Sequence, residues 1–177
     1  MTSREKYQPG PAAGADIHKE GDNWTLVLVR ELRHPPAKVW EALTDPAQLR
    51  EWAPFDADRS LASTGTVKLT TVSAPQAQSS ETVVKRAEAP KLLQYSWGDA
   101  DLKWQLEPQG TGTRLTLWHN IDRRYISWGA AGWHICFDVM DRFLAGDPIG
   151  RMVGMDTMKF EGWQHLQKEY ARQFEAL

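Results

Sequence analysis

The chain has 177 residues and a formal net charge of −2, with 21 lysines and arginines dispersed among 23 acidic residues. No basic block marks a nucleic-acid surface, and no apolar run approaches the roughly 18 residues of a membrane-spanning helix. The N-terminus lacks the apolar core of a signal peptide, and the single cysteine cannot form an internal disulfide. We therefore expect a cytoplasmic protein with no nucleic-acid partner and no membrane span.

The first 22 residues differ in composition from the rest of the chain. Residues 1–22 are rich in Pro, Gly and Ala without a sustained period, which predicts a flexible N-terminal tail. Residues 23–177 are long enough to form a single domain with its own core. Residues 24–32 are β-branched and apolar and predict a strand. Pro36 and Pro46 each suit the first turn of a helix, so two short helices should follow.

The middle of the chain alternates apolar and polar residues, as strands with one buried face do. The segments with this pattern are 65–73, 80–89, 91–98, 101–108 and 112–120. Helical periodicity then appears around residues 132–146 and again over about 156–176. This order predicts an α+β fold in which helices cover one side of an antiparallel sheet.

The chain contains nine tryptophans, an unusually high number. Large aromatic side chains fill cores, but they also line apolar pockets, and the sequence leaves both interpretations open. Strand parity and helix face select the inward-pointing candidates for a pocket lining. They are Trp40, Trp52, Phe55, Tyr95, Trp97, Trp104, His119, Trp133, Phe137 and Met140.

The segment GWHICFDVMDRFLAG, residues 132–146, places the only cysteine two residues after a histidine. A Cys–His pair would suggest a nucleophilic or metal site. On a helical wheel, however, His134 and Cys136 lie roughly 160° apart, so they cannot meet within one helix. We therefore expect Cys136 to be a small buried residue without a catalytic role.

The same helix has a wide apolar face. Its apolar arc covers nearly 200°, whereas a surface helix shows a stripe of about 100° or somewhat more. This width predicts cover on more than one side, by the sheet, by a neighbouring helix or by the partner in a homodimer. His134, Asp138, Asp141 and Arg142 occupy the remaining arc at i, i+4 spacing, which is typical of a solvent-exposed, charge-paired face.

His119 shares a strand face with Leu115 and Leu117, so its side chain should point inward. It could be a hydrogen-bonded structural residue, a group that orients a ligand, or a general base. A base needs a partner, and Asp122 is not reliably placed for that role. The sequence contains no HExxH, paired cysteines, phosphate loop or GxSxG, so we predict no metal, no cofactor and no catalytic residue.

Three elements of the sequence resemble the START/SRPBCC superfamily, and suit best the branch similar to the C-terminal domain of the activator of the heat-shock protein 90 ATPase. In VRELRHPPAKVWEALTDPAQLREWAP the matching positions are Arg30, Pro35, Val39, Trp40, Thr44, Asp45, Pro46 and Trp52. In GTRLTLWHN they are Gly112, Thr113, Leu115, Thr116, Leu117 and His119. The third element is the Gly-Trp pair at 132–133.

The resemblance implies a helix-grip fold, in which a curved antiparallel sheet wraps around a long C-terminal helix and encloses an apolar cavity. The segment at 143–156 separates two helical stretches and leaves open which of them is gripped. The main functional expectation is non-catalytic binding of a small hydrophobic or amphipathic molecule. The resemblance also allows a co-chaperone-like domain with a chaperone partner, or a polyketide cyclase or dehydratase using His119 with Arg30, Glu31 or Tyr95.

Overall fold

The computed structural model describes residues 1–72 and 78–177. Within them, eight strands form one antiparallel sheet in the order β1-β2-β8-β7-β6-β5-β4-β3. The strands are β1 (Ala15–Glu20), β2 (Asn23–Leu32), β3 (Phe55–Ala57), β4 (Gly65–Thr71), β5 (Gln78–Glu88), β6 (Leu92–Trp97), β7 (Ala100–Gln109) and β8 (Gly112–Asn120). The helices are α1 (Ser3–Lys6), α2 (Pro36–Thr44), α3 (Pro46–Trp52), α4 (Ile126–Leu144), α5 (Met155–Met158) and α6 (Glu161–Glu175).

The sheet curls into a half-barrel, and its inner face carries the alternating apolar side chains that the sequence predicts. In β8, for example, Thr113, Leu115, Leu117 and His119 are all buried. The five predicted strands are β4 to β8, with ends that differ by up to two residues. Ser73, at the end of one predicted strand, lies outside the described residues. The α+β helix-grip prediction is confirmed.

The gripped helix is α4. It lies against the sheet and also contacts α2 and α3, and α6 packs along its outer side. The predicted cover on two sides is therefore confirmed, and within this chain α6 supplies the second layer. The helix expected over 156–176 is broken in two, because Phe160 is extended between α5 and α6.

The N-terminal segment is packed rather than separate from the fold, which differs from the expected tail. All six residues of β1 pair with β2 at the edge of the sheet. Tyr7 is buried, and Arg4 donates hydrogen bonds to the carbonyl oxygens of Ile149, Gly150 and Arg151. Composition does not reveal such anchoring, because it depends on backbone pairing and on contacts more than 100 residues away.

The polar side of α4 is covered, so the prediction of a solvent-exposed face is wrong at its centre. His134 is buried, and its Nδ1 lies 2.7 Å from the Tyr170 hydroxyl of α6. Asp138 accepts a hydrogen bond from Arg30 at 2.6 Å and another from the hydroxyl of Tyr7. The i, i+4 pattern was typical of an exposed face, but here elements from both ends of the chain supply the partners.

At the C-terminal end of α4 the polar face is partly exposed and charge-paired, as predicted. The side chain of Asp141 is 49% exposed, and its carboxylate accepts a hydrogen bond from Nε2 of His34 at 2.7 Å. Arg142 is 37% exposed and lies 3.6 Å from Asp147. The N-terminal segment reaches this end of the helix as well, since the guanidinium of Arg142 lies over the ring of Tyr7 at 5.3 Å, but it leaves these charges partly hydrated.

Candidate functional site

The centre of the half-barrel is filled by its own side chains. Trp104 packs edge-to-face against Trp52 and Trp133, with ring centroids 6.1 and 5.5 Å apart. Its indole N–H donates to the Tyr95 hydroxyl at 3.2 Å. The predicted lining residues that pack into this solid core are Trp40, Trp52, Phe55, Tyr95, Trp104, Phe137 and Met140. A cavity deep between sheet and helix is thus closed, because bulky aromatics occupy its inward positions.

An apolar groove opens instead beside the N-terminal half of α4. Its volume is about 360 Å³, and its surface is almost entirely apolar. Three of the predicted lining residues face it: Trp97, His119 and Trp133. The other residues that line it are Pro54, Ile121, Tyr125, Trp128, Gly129, Gly132, Cys136, Met152, Val153, Gly154, Met155, Thr157, Met158 and Trp163.

The outer wall of this groove comes from the segment between α4 and α6, for which the sequence pattern predicted no role beyond separating two helices. Met152, Met155 and Met158 recur every third residue there and face the groove. Unbranched thioether side chains adapt to differently shaped apolar partners. The sequence does contain a signal for this wall, namely three methionines within the seven residues 152–158. Helical periodicity does not detect it, because only four of these seven residues, those of α5, are helical.

The rim of the groove carries exposed aromatic side chains. Tyr125 and Trp128 are 47% and 43% exposed, and their rings meet at a centroid distance of 5.7 Å. Trp128 also packs edge-to-face on the buried Trp163 of α6 at 6.0 Å. A cluster of solvent-exposed large aromatic side chains is uncommon on protein surfaces and is typical of binding sites. Neither Tyr125 nor Trp128 was among the predicted lining residues.

His119 brings a polar group to the groove, whose lining also includes the hydroxyl-bearing residues Thr157 and Tyr125. The indole N–H of Trp133 donates to its Nδ1 at 2.9 Å. Because an indole nitrogen is only a donor, Nδ1 must be the unprotonated nitrogen, and the neutral ring carries its proton on Nε2. Burial lowers the pKa of His119 to about 4. At neutral pH this residue is therefore a hydrogen-bond donor without charge.

His119 lines the groove, and its Nε2 is free to bind a ligand. This nitrogen makes no hydrogen bond within the described residues, whose buried side-chain nitrogen and oxygen atoms all have partners. An unbonded Nε2 must therefore lie at an accessible surface, although the residue is only 6% exposed. Asp122, considered as its partner, instead binds Arg124 through both carboxylate oxygens.

No reactive thiol faces the groove. Cys136 contributes to its wall, but burial raises the pKa of the thiol to about 12, so it stays protonated. His134 points to the opposite side of α4, towards Tyr170, which agrees with the predicted separation of the two residues. Within residues 1–72 and 78–177, no three His, Cys, Asp or Glu side chains are grouped as a metal site requires.

The other side chains considered for catalysis lie away from the groove. Arg30 is engaged by Asp138 on the far side of α4. Glu31 is exposed and binds Arg114 at 2.9 Å. Tyr95 is enclosed in the core beside Trp104, and burial raises the pKa of its phenol. These three side chains cannot assist His119, because none of them faces the same cavity.

The chain has the sequence features of a known family. Residues 23–156, which include β2 and all of α4, match the family described as polyketide cyclase / dehydrase and lipid transport. The chain belongs to this family. Residues 1–22 and α6 lie outside the matched residues, so the second layer over α4 is additional to the part of the fold that the family match covers. A comparison with curated proteins finds no match.

Solved structures share this fold at low sequence identity. A conserved protein of unknown function from Enterococcus faecalis, EF2215, is 14% identical with a TM-score of 0.68, covering 90% of this chain and 89% of that one. CalU16 from Micromonospora echinospora is 18% identical with a TM-score of 0.63, covering 89% and 94%. An AHSA1-like protein from Aeromonas hydrophila is 16% identical with a TM-score of 0.57, covering 69% and 92%. These likenesses establish the fold alone.

One further feature concerns the helices as a group. Among the described residues, no helix combines the length and the apolar character needed to cross a bilayer.

Proposed function

We propose that this protein binds a small hydrophobic or amphipathic molecule in the apolar groove and does not chemically change it. The observation that carries the proposal is the pairing of an almost wholly apolar groove with an oriented donor, Nε2 of the lining residue His119. Small-molecule sites typically combine apolar walls with a few placed polar groups. The groove volume of about 360 Å³ lies within the usual range of such sites.

The chemistry of the lining supports binding over catalysis. A general base is most effective when its pKa is near the working pH, and the pKa of His119 is about 4. Its Nδ1 is also occupied by Trp133, so the free nitrogen is the protonated one. Cys136 remains a thiol for the reason given above. The groove can therefore hold and orient a ligand, but it offers neither an efficient proton acceptor nor a nucleophile.

The exposed aromatic rim gives a second line of support. Tyr125, Trp128 and Met155 are 47%, 43% and 57% exposed and lie on the groove wall. Covering this surface would be favourable by about 25 cal/mol for each Å² of apolar area removed from water. A bound apolar molecule removes that area from water without any change in the fold.

Gly132 allows a direct test. It lies in α4 on the groove wall, and a Cβ atom placed there would meet no atom within 4 Å. Gly132→Leu should therefore fill the groove without disturbing the core, and Gly132→Ala is the matched control because its methyl group occupies little of the groove. We would screen fatty acids, sterols and polycyclic aromatic molecules by thermal shift and tryptophan fluorescence.

We expect at least one of these classes to raise the melting temperature and change the fluorescence of the wild type and of Gly132→Ala, but not of Gly132→Leu. Absence of any effect on the wild type across all classes contradicts the proposal. Equal binding by Gly132→Leu would place the ligand outside this groove and contradict it as well.

A further inference from the structure

A second cavity adjoins the apolar groove. It is a polar cleft of about 660 Å³ at the end of the sheet where β2 and β7 begin and β6 and β8 end. Trp97, His119 and Ile121 line both cavities. The two spaces therefore meet at these side chains, and one molecule of sufficient length could occupy both.

Two tight turns place carboxylates in the cleft. Asp22 follows Gly21 in the turn between β1 and β2, and Asp99 follows Gly98 in the turn between β6 and β7. Both glycines have positive φ, 60° and 59°, which other residues adopt only with strain. The strand order brings these turns to the same end of the sheet as the end of β8.

The charge of the cleft is negative. Asp22 and Asp99 make no salt bridge within the described residues. Asp122, the third carboxylate, is neutralised by Arg124 at 3.0 Å. Arg123 is the cation of the lining, and its guanidinium lies over the Trp24 ring, 5.3 Å from the centroid. The lining thus has two carboxylates without an ion-pair partner and one cation, Arg123, stacked on Trp24; the ammonium of Lys19, outside the lining, lies over the same ring at 5.4 Å.

His119 lies where the apolar groove and the polar cleft meet. This residue is 6% exposed, its Nδ1 is taken by Trp133, and its Nε2 is without a partner among the described residues. A donor in that position offers a hydrogen bond to a ligand atom between an apolar part in the groove and a polar part in the cleft. An ester, ether, carbonyl or hydroxyl oxygen accepts such a bond.

We propose that the ligand is an amphipathic molecule with a positively charged head group. Its apolar part lies in the groove, an acceptor oxygen binds Nε2 of His119, and the cationic head lies between Asp22 and Asp99. This inference rests on the proposed function of the groove and adds the selection of charge. The attraction acts through exposed carboxylates, so its size is moderate and it weakens with added salt.

The test uses three probes with one apolar group, one ether oxygen and different heads: 2-(2-naphthyloxy)ethylamine, 2-(2-naphthyloxy)ethanol and the anion of (2-naphthyloxy)acetic acid. Calorimetric titrations compare the wild type with the Asp22→Asn/Asp99→Asn double variant at low and high salt. The matched control is Glu81→Gln/Glu175→Gln, which removes the same charge from exposed positions outside the cleft.

We expect the amine to bind the wild type and the control about tenfold more tightly than the carboxylate at low salt. In the double variant this ratio should fall to about two or less, while the affinity for the neutral alcohol stays within a factor of about two. High salt should reduce the ratio in the wild type.

The outcomes separate the two proposals. Binding of the alcohol without preference for the amine, or with preference for the carboxylate, overturns the charge selection and leaves the groove as a binding site. An amine preference that persists in the double variant overturns it too, because the carboxylates named here would not be its cause. If none of the probes binds, this inference fails together with the proposed function on which it rests.

Discussion

The indole N–H of Trp133 donates a hydrogen bond to Nδ1 of His119 across 2.9 Å, and this contact joins α4 to β8. Both side chains are buried. The bond connects the gripped helix to the inner face of the sheet, and it keeps the proton of His119 on Nε2, the nitrogen left free for a ligand. One contact therefore bears both on stability and on ligand binding.

Replacing Trp133 by Phe should destabilise the protein by more than the loss of packing alone, since it leaves the buried Nδ1 of His119 without a donor. We expect a free energy of unfolding about 1–3 kcal/mol lower than that of the control Trp40→Phe. Trp40 is similarly buried, and no side-chain hydrogen bond from it occurs within the described residues. Urea unfolding measures both variants, and equal losses would show that the bond contributes nothing.

Acidification should weaken the fold through His119. Its pKa falls from 6.5 to about 4 on burial, so below pH 6.5 the unfolded chain takes up a proton that the folded protein does not bind. The His119 contribution is fully present above pH 6.5 and is lost progressively down to about pH 4, by about 3 kcal/mol in total. Burial lowers the pKa of His134 as well, which acts in the same direction.

The His119→Asn variant isolates this effect. Asn retains an acceptor for Trp133 but has no titrating ring, so its free energy of unfolding should decline less between pH 6.5 and 4 than that of the wild type. The decline from His134 and from the carboxylates is common to both proteins. Parallel pH profiles in urea unfolding would contradict the assignment.

Gly132→Ala should stabilise the protein. Gly132 lies inside α4, a Cβ there meets no atom within 4 Å, and Gly is about 1 kcal/mol less favourable than Ala in a helix interior. At Gly129 the added Cβ would lie 2.9 Å from Cδ1 of Ile121, which must shift. We expect thermal unfolding to show a gain of about 1 kcal/mol for Gly132→Ala and a smaller gain or a loss for Gly129→Ala. A larger gain at Gly129 would contradict this reasoning.

Tyr7→Phe should loosen the N-terminal segment. The Tyr7 hydroxyl donates to the Asp138 carboxylate, and hydrogen bonds to charged groups contribute about 1.5–3 kcal/mol. We expect a loss of stability of that order and faster tryptic cleavage after Lys19. Tyr125→Phe is the control, because Tyr125 is 47% exposed and no hydrogen bond from its hydroxyl occurs within the described residues. Unchanged cleavage in Tyr7→Phe would show that the bond does not hold the segment in place.

Cys136 should not react with a thiol reagent in the folded protein. Burial raises the pKa of the thiol to about 12, so thiolate is scarce at pH 8, and the side chain is buried in α4. Ellman's reagent should therefore modify Cys136 only at the rate at which the protein opens, and rapidly in concentrated guanidinium chloride. Fast stoichiometric modification of the native protein would show that the groove admits the reagent to a reactive thiolate.

Much of the fold was predictable from the sequence, and the predictions that were wrong have a common cause. Strict alternation, as in residues 101–108, specifies which face of a strand is buried, so β7 and β8 agree closely with expectation. The edge strand β1 has no such pattern, because its backbone pairs with only one neighbour and most of its side chains are exposed. Pairing of this kind leaves little trace in composition.

The candidate site was predictable only in part. Periodicity correctly placed Trp97, His119 and Trp133 on inward faces, but inward positions include both solid core and groove wall, and the pattern is the same for both. Trp104 shows the difference: it satisfies every requirement of a lining residue, yet its neighbours Trp52 and Tyr95 enclose it completely. Which aromatic residue faces open space depends on the volumes of all its neighbours together.

The sequence by itself determined the antiparallel sheet and the separation of His134 from Cys136, because these follow from local periodicity and geometry. Which of the two C-terminal helical stretches the sheet grips, namely α4, was decided by the tertiary structure. Only the tertiary structure decided that the polar side of α4 is buried, since Tyr7 and Tyr170 reach it from opposite ends of the chain. It also decided that the open space lies beside the helix and not beneath it. Whether a helix face is covered and where a cavity remains depend on the volumes of side chains that are far apart in the sequence, and no local pattern encodes them.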